Sequence, residues 1–244
     1  MFSTVNKVLP GGSTLAFYSF PPMSILSYYN DLAPTYDANR FANSYGDYLH
    51  RQERRVLDRY LGEIPPERTL DLACGTGRHL DYAATGVDLS PAMIDVCREK
   101  HPGKTLHVGD ALATGLPGDT YDAILSFHFL MHLRPADLEC FLAESHRLLR
   151  PGGRLIFDVP SAERRGVVKR MESGWHGDNA YGTEEVRNLY GTAWREVGRA
   201  GIALFPVHRL PEGLRPVLRP LDSFLCSSPL GRVASYCVYV LEKR

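Results

Sequence analysis

The stretch Leu70-Asp71-Leu72-Ala73-Cys74-Gly75-Thr76-Gly77 constrains the fold more than any other part of this chain. An apolar strand end runs into a tight turn with two glycines one residue apart. In α/β proteins such a turn bares the backbone to a ligand at the carboxyl end of the first strand. A nicotinamide fingerprint needs a third glycine, Gly-x-Gly-x-x-Gly, so that the helix presses close beneath a pyrophosphate. Here the third position is Leu80. A Walker loop is excluded too, because no Gly-Lys-Ser/Thr comes after the turn. The turn suits a ligand that needs close backbone approach without a pyrophosphate seat.

Strands and helices alternate around this turn. A short helical turn after Gly77 leads to a strand at 84–89 ending in Asp88, then to a helix opened by Ser90-Pro91 with Met93, Ile94 and Cys97 inward. Further strands are predicted at 105–110, 121–127 and 154–159. An amphipathic helix over 135–149 precedes the last of these, with Leu138, Phe141, Leu142, Ser145, Leu148 and Leu149 on one face. The pattern predicts an α/β fold, a doubly wound and mostly parallel seven-stranded sheet. Polar residues 161–182 read as an insertion on the substrate side. Val186, Leu189, Tyr190, Ala193, Trp194 and Val197 predict a helix ending at Gly201. Strands near 202–207 and 235–241, joined by a loop with Pro211, Pro216, Pro220 and Pro229, predict an antiparallel C-terminal hairpin.

Residues 1–22 read as a flexible N-terminal extension, with Met23 a second candidate start. Residues 23–61 read as tyrosine-rich lid helices broken at Pro34, and 62–244 as the ligand-binding domain. In the longer lid helix Tyr45, Leu49, Val56, Leu57, Tyr60 and Leu61 face the sheet, with Arg51, Glu53 and Arg54 assigned to water. The chain's 28 basic and 28 acidic residues cancel, which disfavours a protein that lives on phosphate backbones. No apolar run approaches the ~18 residues of a membrane span. Five scattered cysteines without metal-ligand spacing read as reduced thiols of a cytoplasmic protein.

S-adenosylmethionine fits the glycine turn and the acidic strand ends beyond it. Its amino-acid end can lie against bare backbone, Asp88 after the second strand can bind the ribose hydroxyls, and Asp110 after the third can accept from the adenine amino group. Strand-terminal aspartates are also common turn and cap residues. Three carboxylates at three successive strand ends, with Gly-x-Gly, are far more specific than any one alone.

With those pieces, the chain resembles the class I, seven-stranded S-adenosylmethionine-dependent methyltransferases, and among them the group acting mostly on small molecules. The resemblance rests on Leu70–Gly77, Gly86–Ser90, Gly109-Asp110-Ala111, Tyr121–Leu133 and the segment LLRPGGRLIFDV at 148–159. Ala73 stands where many members carry glycine, and the segment from Gly77 to Asp88 is short. The resemblance implies cofactor contacts from Asp71, Ala73, Gly75, Gly77, Asp88, Leu89, Met93, Asp110, Ala111, Ser126 and Phe127. It also implies a lid in which Tyr36 walls the pocket and Arg40 reaches the methionine carboxylate.

Methyl transfer from a sulfonium needs alignment first and a base only where the acceptor loses a proton. His128 and His132, at the exit of the fourth strand, are the general-base candidates, and they share a face if that segment is helical. No metal set is spaced to include them. Trp175, His176, Tyr181, Arg209 and Arg215 are candidate acceptor contacts. Three functions stay open: methylation of a small biosynthetic intermediate, methylation of tRNA or other RNA, and a non-catalytic cofactor-binding partner subunit. A monomer and a homodimer are equally compatible with the sequence.

Overall fold

In a computed structural model, residues 25–168, 179–207 and 210–244 are described. Five parallel strands, β1 (Thr69–Leu72), β2 (Thr85–Asp88), β3 (Thr105–Val108), β4 (Tyr121–Ser126) and β5 (Leu149–Pro160), are joined by β6 (Trp194–Ile202) and β7 (Tyr236–Lys243). They form one seven-stranded sheet in the order β3-β2-β1-β4-β5-β7-β6. β7 runs antiparallel between β5 and β6, so the sheet closes in an antiparallel C-terminal hairpin, whose first strand lies at Trp194–Ile202 and not near 202–207 as expected. The order reverses beside β1, and in open α/β sheets a ligand binds outside the strand ends at such a reversal.

Alternation along the strands sends side chains to two cores. Leu70, Leu72, Ile124, Leu155, Phe157 and Tyr239 point to one face, where α5 (Pro135–Leu148) and α7 (Thr183–Tyr190) cover them. Ala123, Leu125, Ile156, Val238 and Val240 point to the other, covered by α3 (Ser44–Leu61) and α4 (Pro91–Lys100). Strands buried on both faces read as apolar runs, which is why β1, β4 and β5 are visible in sequence. Asn43 caps α3, accepting from the amides of Tyr45 and Gly46, and Ser90 caps α4, accepting from that of Met93 at 3.1 Å. Two short helices, α1 (Ile25–Leu32) and α2 (Tyr36–Arg40), precede α3, and another, α6 (Ala162–Val168), follows β5.

Three expectations are corrected. The helix expected to reach Gly201 stops at Tyr190, where Gly191 turns the backbone to φ +55°, and Trp194–Ile202 is β6. Helical spacing there runs two elements together, because the strand is defined by pairing with the distant β7. The proline-rich loop contains α8 (Arg215–Cys226); Pro216 occupies its first turn, where no backbone donor is needed, and Pro220 lies inside it. The stretch after Gly77 forms turns rather than a helix. The N-terminal extension at 1–22 and the candidate contacts Trp175, His176 and Arg209 lie outside the described residues. Among the described residues no helix is long and apolar enough to cross a membrane.

The β6 edge depends on a close backbone approach. A Cβ on Gly201 would lie 2.6 Å from the Gly231 carbonyl oxygen and 2.7 Å from its Cα, with no flexible side-chain tip to yield. Gly201→Ala is expected to cost about 1–3 kcal/mol of stability, read as a lower denaturant midpoint. A midpoint equal to wild type contradicts this packing.

Candidate active site

A cavity of about 310 Å³ opens at the carboxyl ends of β1, β2 and β4, under α1 and α2. It sits at the lower end of the ~300–1,000 Å³ range of ligand clefts. Its floor is the turn after β1. Gly75 adopts φ +53° with nothing within 4 Å of where a Cβ would stand, so bare backbone faces the opening. Gly77, at φ +84°, does something else: a Cβ there would meet Cys97 Sγ and His101 Cδ2, both at 2.7 Å, so its missing side chain lets the turn close on α4. Asp88 ties the floor together, accepting from the Gly75 amide and from the Ser90 amide, each at 2.8 Å. Burial raises its carboxyl above the ordinary range, and the two amide donors oppose that rise.

The roof is pinned to the floor by polar contacts. Tyr29 Oη lies 2.9 Å from His132 Nε2, and Ser90 Oγ donates to Asn30 Oδ1 at 2.6 Å. Asp37 accepts from Thr76 Oγ1 within the glycine turn and from Lys100 Nζ on α4, both at 2.6 Å. Leu89, Met93, Ala111 and Leu112 wall one end of the cavity with Asp110, and Phe127, His128 and Phe129 wall the other.

Behind His128 lies a buried charged network. His128 holds φ +57°, a conformation unusual without glycine, and its amide donates to Asp158 Oδ1 at 2.6 Å. Its ring lies between two carboxylates, with Nε2 at 2.7 Å from Glu53 Oε1 and Nδ1 at 3.6 Å from Asp158 Oδ2. Glu53 also accepts from Arg78, and His79 Nε2 lies 3.1 Å from it. Burial alone pushes the Glu53 carboxyl up, but Arg78 and His128 outweigh it and hold it well below the carboxylate range. Burial alone pushes His128 down, but Asp158 and Glu53 outweigh it and raise the imidazole above its ordinary value. Burial drives Asp158 up, and His128 opposes that. The His128 ring is therefore clamped between two acids that favour its protonated form.

The segment 70–157 matches the family model described as "Methyltransferase domain". A demethylmenaquinone methyltransferase of Thermus thermophilus is 36% identical over 159 residues, covering 59% of this chain and 70% of that protein. The chain belongs to the S-adenosylmethionine-dependent methyltransferases. A malonyl-[acyl-carrier protein] O-methyltransferase of Serratia marcescens is 33% identical, covering 56% of this chain and 55% of that protein. A solved methyltransferase from Thermotoga maritima, described as a possible histamine N-methyltransferase, shares the fold with a TM-score of 0.66 at 21% identity, covering 88% of this chain and 98% of that one. The chain thus spans between 55% and 70% of the length of the two curated relatives. S-adenosylmethionine is the cofactor of this methyltransferase, and an open glycine backbone beside Asp88 is compatible with it.

Of the residues singled out in the sequence, Tyr36, Ala73, Gly75, Asp88, Leu89, Met93, Asp110, Ala111, Phe127, His128 and His132 line the cavity of the methyltransferase. Asp71 and Ser126 lie buried beneath it, and burial pushes the Asp71 carboxyl well above its usual range. Arg40 is outside the lining and donates to Tyr28 Oη at 2.9 Å. Tyr181 is buried, donating to the Leu133 carbonyl at 2.5 Å, and Arg215 donates to Ser44 Oγ at 2.5 Å. His128 and His132 do not share a helical face, since only Leu130–His132 forms a 3-10 turn.

Glu53 is the chief correction: assigned to water, it is fully buried. The signal was present, because position 53 lies midway between Leu49 and Leu57 at four-residue steps and so falls on the buried face. Asp158, a lone acid in an apolar strand, carried a similar signal. The fold also brings His50, Glu53 and His79 together with ligand atoms within 4.8 Å, a grouping invisible in sequence spacing. Arg78 Nη1 bonds both Glu53 and His50, so a guanidinium fills the place a cation would take.

The network's contribution to stability has two pH limits. The depressed Glu53 contributes fully above its ordinary 4.5, and that is lost as pH falls through its folded value. The raised His128 contributes fully below its ordinary 6.5, and that is lost as pH rises through its folded value. Both are complete between pH 4.5 and 6.5. Glu53→Gln is expected to move the His128 imidazole titration, followed by NMR, to lower pH and to cost about 3–5 kcal/mol of stability. An unmoved titration contradicts the clamp.

Proposed function

We propose that this methyltransferase moves the methyl group of S-adenosylmethionine to a small-molecule acceptor that enters beside His128. The observation that carries the reading is the pinned roof. Contacts from Tyr29, Asn30 and Asp37 hold α1 and α2 over the cavity of about 310 Å³ that the cofactor would occupy, which leaves only a narrow approach to its methyl group beside His128. The balanced charge of the chain agrees with this. The named acceptors of the two relatives, demethylmenaquinone and malonyl-[acyl-carrier protein], are not nucleic acids either.

In this reading, the Gly75 backbone seats the methionine end of the cofactor. The lone pairs of Asp88 not used by the Gly75 and Ser90 amides accept from the ribose hydroxyls. Asp110, with Leu89, Met93 and Ala111, takes the adenine ring, while Tyr36 and Phe127 wall the pocket. Arg40 reaches the methionine carboxylate only by leaving Tyr28. When bound, the cofactor supplies an electrophilic methyl carbon for in-line displacement. The chain contributes chiefly alignment, worth up to ~7–11 kcal/mol in well-oriented systems. The His128 ring, held between Glu53 and Asp158, walls the side where the acceptor enters. His132, which lines the cavity and meets Tyr29, takes the proton of an acceptor that loses one.

Labelled methyl transfer should place label in the small-molecule fraction of a metabolite extract and not in total RNA; label in RNA contradicts the reading. Asp88→Ala should weaken S-adenosylhomocysteine binding at least about tenfold by calorimetry, through loss of charge-assisted hydrogen bonds. Unchanged affinity would remove Asp88 from the site.

A further inference from the structure

Helix α8 is mounted inside out. Its polar side is buried: Asp222 accepts from Tyr48 Oη at 2.5 Å, from Gln52 Nε2 at 3.1 Å and from the Phe205 amide at 2.6 Å. Its apolar side faces outward. Val217, Leu221 and Phe224, at helical spacing, are 71%, 47% and 72% exposed, and Leu214 just before the helix continues the stripe at 53%. Single exposed apolar residues are ordinary, whereas a contiguous stripe marks a contact surface.

The flanks of this stripe carry several arginines, with Glu212 just before Leu214. The basic residues of α8 are Arg215 and Arg219, and its only carboxylate is the buried Asp222. On the flank shared with α3, Arg55 donates to Ser223, Arg219 lies over the Tyr48 ring, and Arg59 lies one turn farther along α3 over Tyr60. Arg232 sits on the 3-10 turn Pro229–Val233, which packs on α8. Among the described residues, Arg55, Arg59, Arg219 and Arg232 form no ion pair with a carboxylate.

We infer that this face is a membrane-surface docking site, with α8 lying in the interface of an anionic lipid bilayer. The apolar stripe enters the boundary between headgroups and acyl chains, and the flanking arginines meet lipid phosphates. The charge pattern decides between lipid and a second copy of the chain. A two-fold contact through the stripe sets the same arginines against each other, whereas phosphates neutralise them. A helix of 12 residues, ~18 Å long, is too short to span and long enough to lie flat.

The test is flotation of the full chain with vesicles of phosphatidylcholine alone or mixed with an equal part of phosphatidylglycerol. The protein is expected to float with the mixed vesicles, to be released by added salt, and to stay behind with phosphatidylcholine alone. Phe224→Asp and, separately, Val217→Asp should each lower the bound fraction about tenfold with unchanged thermal melting, since both side chains are exposed. The inference is overturned if the wild type does not float with the mixed vesicles, or if both variants float as it does. It is equally overturned if the stripe instead mediates a concentration-dependent dimer that Phe224→Asp abolishes.

Discussion

The carboxylate of Asp88 is the interaction on which the rest of the site depends. It stands at the end of β2 and accepts from the backbone of Gly75, in the turn after β1, and from that of Ser90, at the start of α4. One side chain thus holds two neighbouring strand ends and a helix N-terminus in register. Without it the glycine turn would lose its partner across the strand gap. Ser90, placed by that contact, both caps α4 and reaches Asn30 in the roof. Floor, helix and lid are therefore one connected hydrogen-bonded assembly.

A second assembly stands behind the His128 side of the cavity. Glu53 comes from α3, outside the segment 70–157 that carries the methyltransferase match. It joins that helix to Arg78 and His79 in the glycine turn and to His128 at the exit of β4. Breaking such a buried set leaves an uncompensated charge, so its members are held together more tightly than any one contact suggests. The arrangement also fixes the left-handed backbone at His128, whose amide is held by Asp158. The segment beyond the methyltransferase core is thus part of how the site is built.

Most of the sheet was legible in the sequence because strands buried on both faces are apolar runs bounded by turn residues. The floor was legible because Gly75 and Gly77 answer a backbone requirement that few residues meet. What was hidden came from contacts distant in sequence. β6 reads locally as helix, and only its pairing with β7 makes it a strand. α8 reads as loop because two prolines mask a helix whose polar side, not its apolar side, faces the protein. Glu53 obeyed the pattern of its helix but was judged by its charge, and its partners were 25 and 75 residues away.

If Gly75 and Asp88 form the seat of the cofactor, their own backbone amides must respond when it is filled. Titrating S-adenosylhomocysteine into nitrogen-labelled protein, with each backbone amide followed by NMR, reads that response. Saturable shifts are expected on the amides of Gly75, Asp88 and Ser90, with the α1 amides moving as the roof responds. Saturable shifts centred elsewhere, with the Gly75 and Asp88 amides unmoved, would contradict this seat.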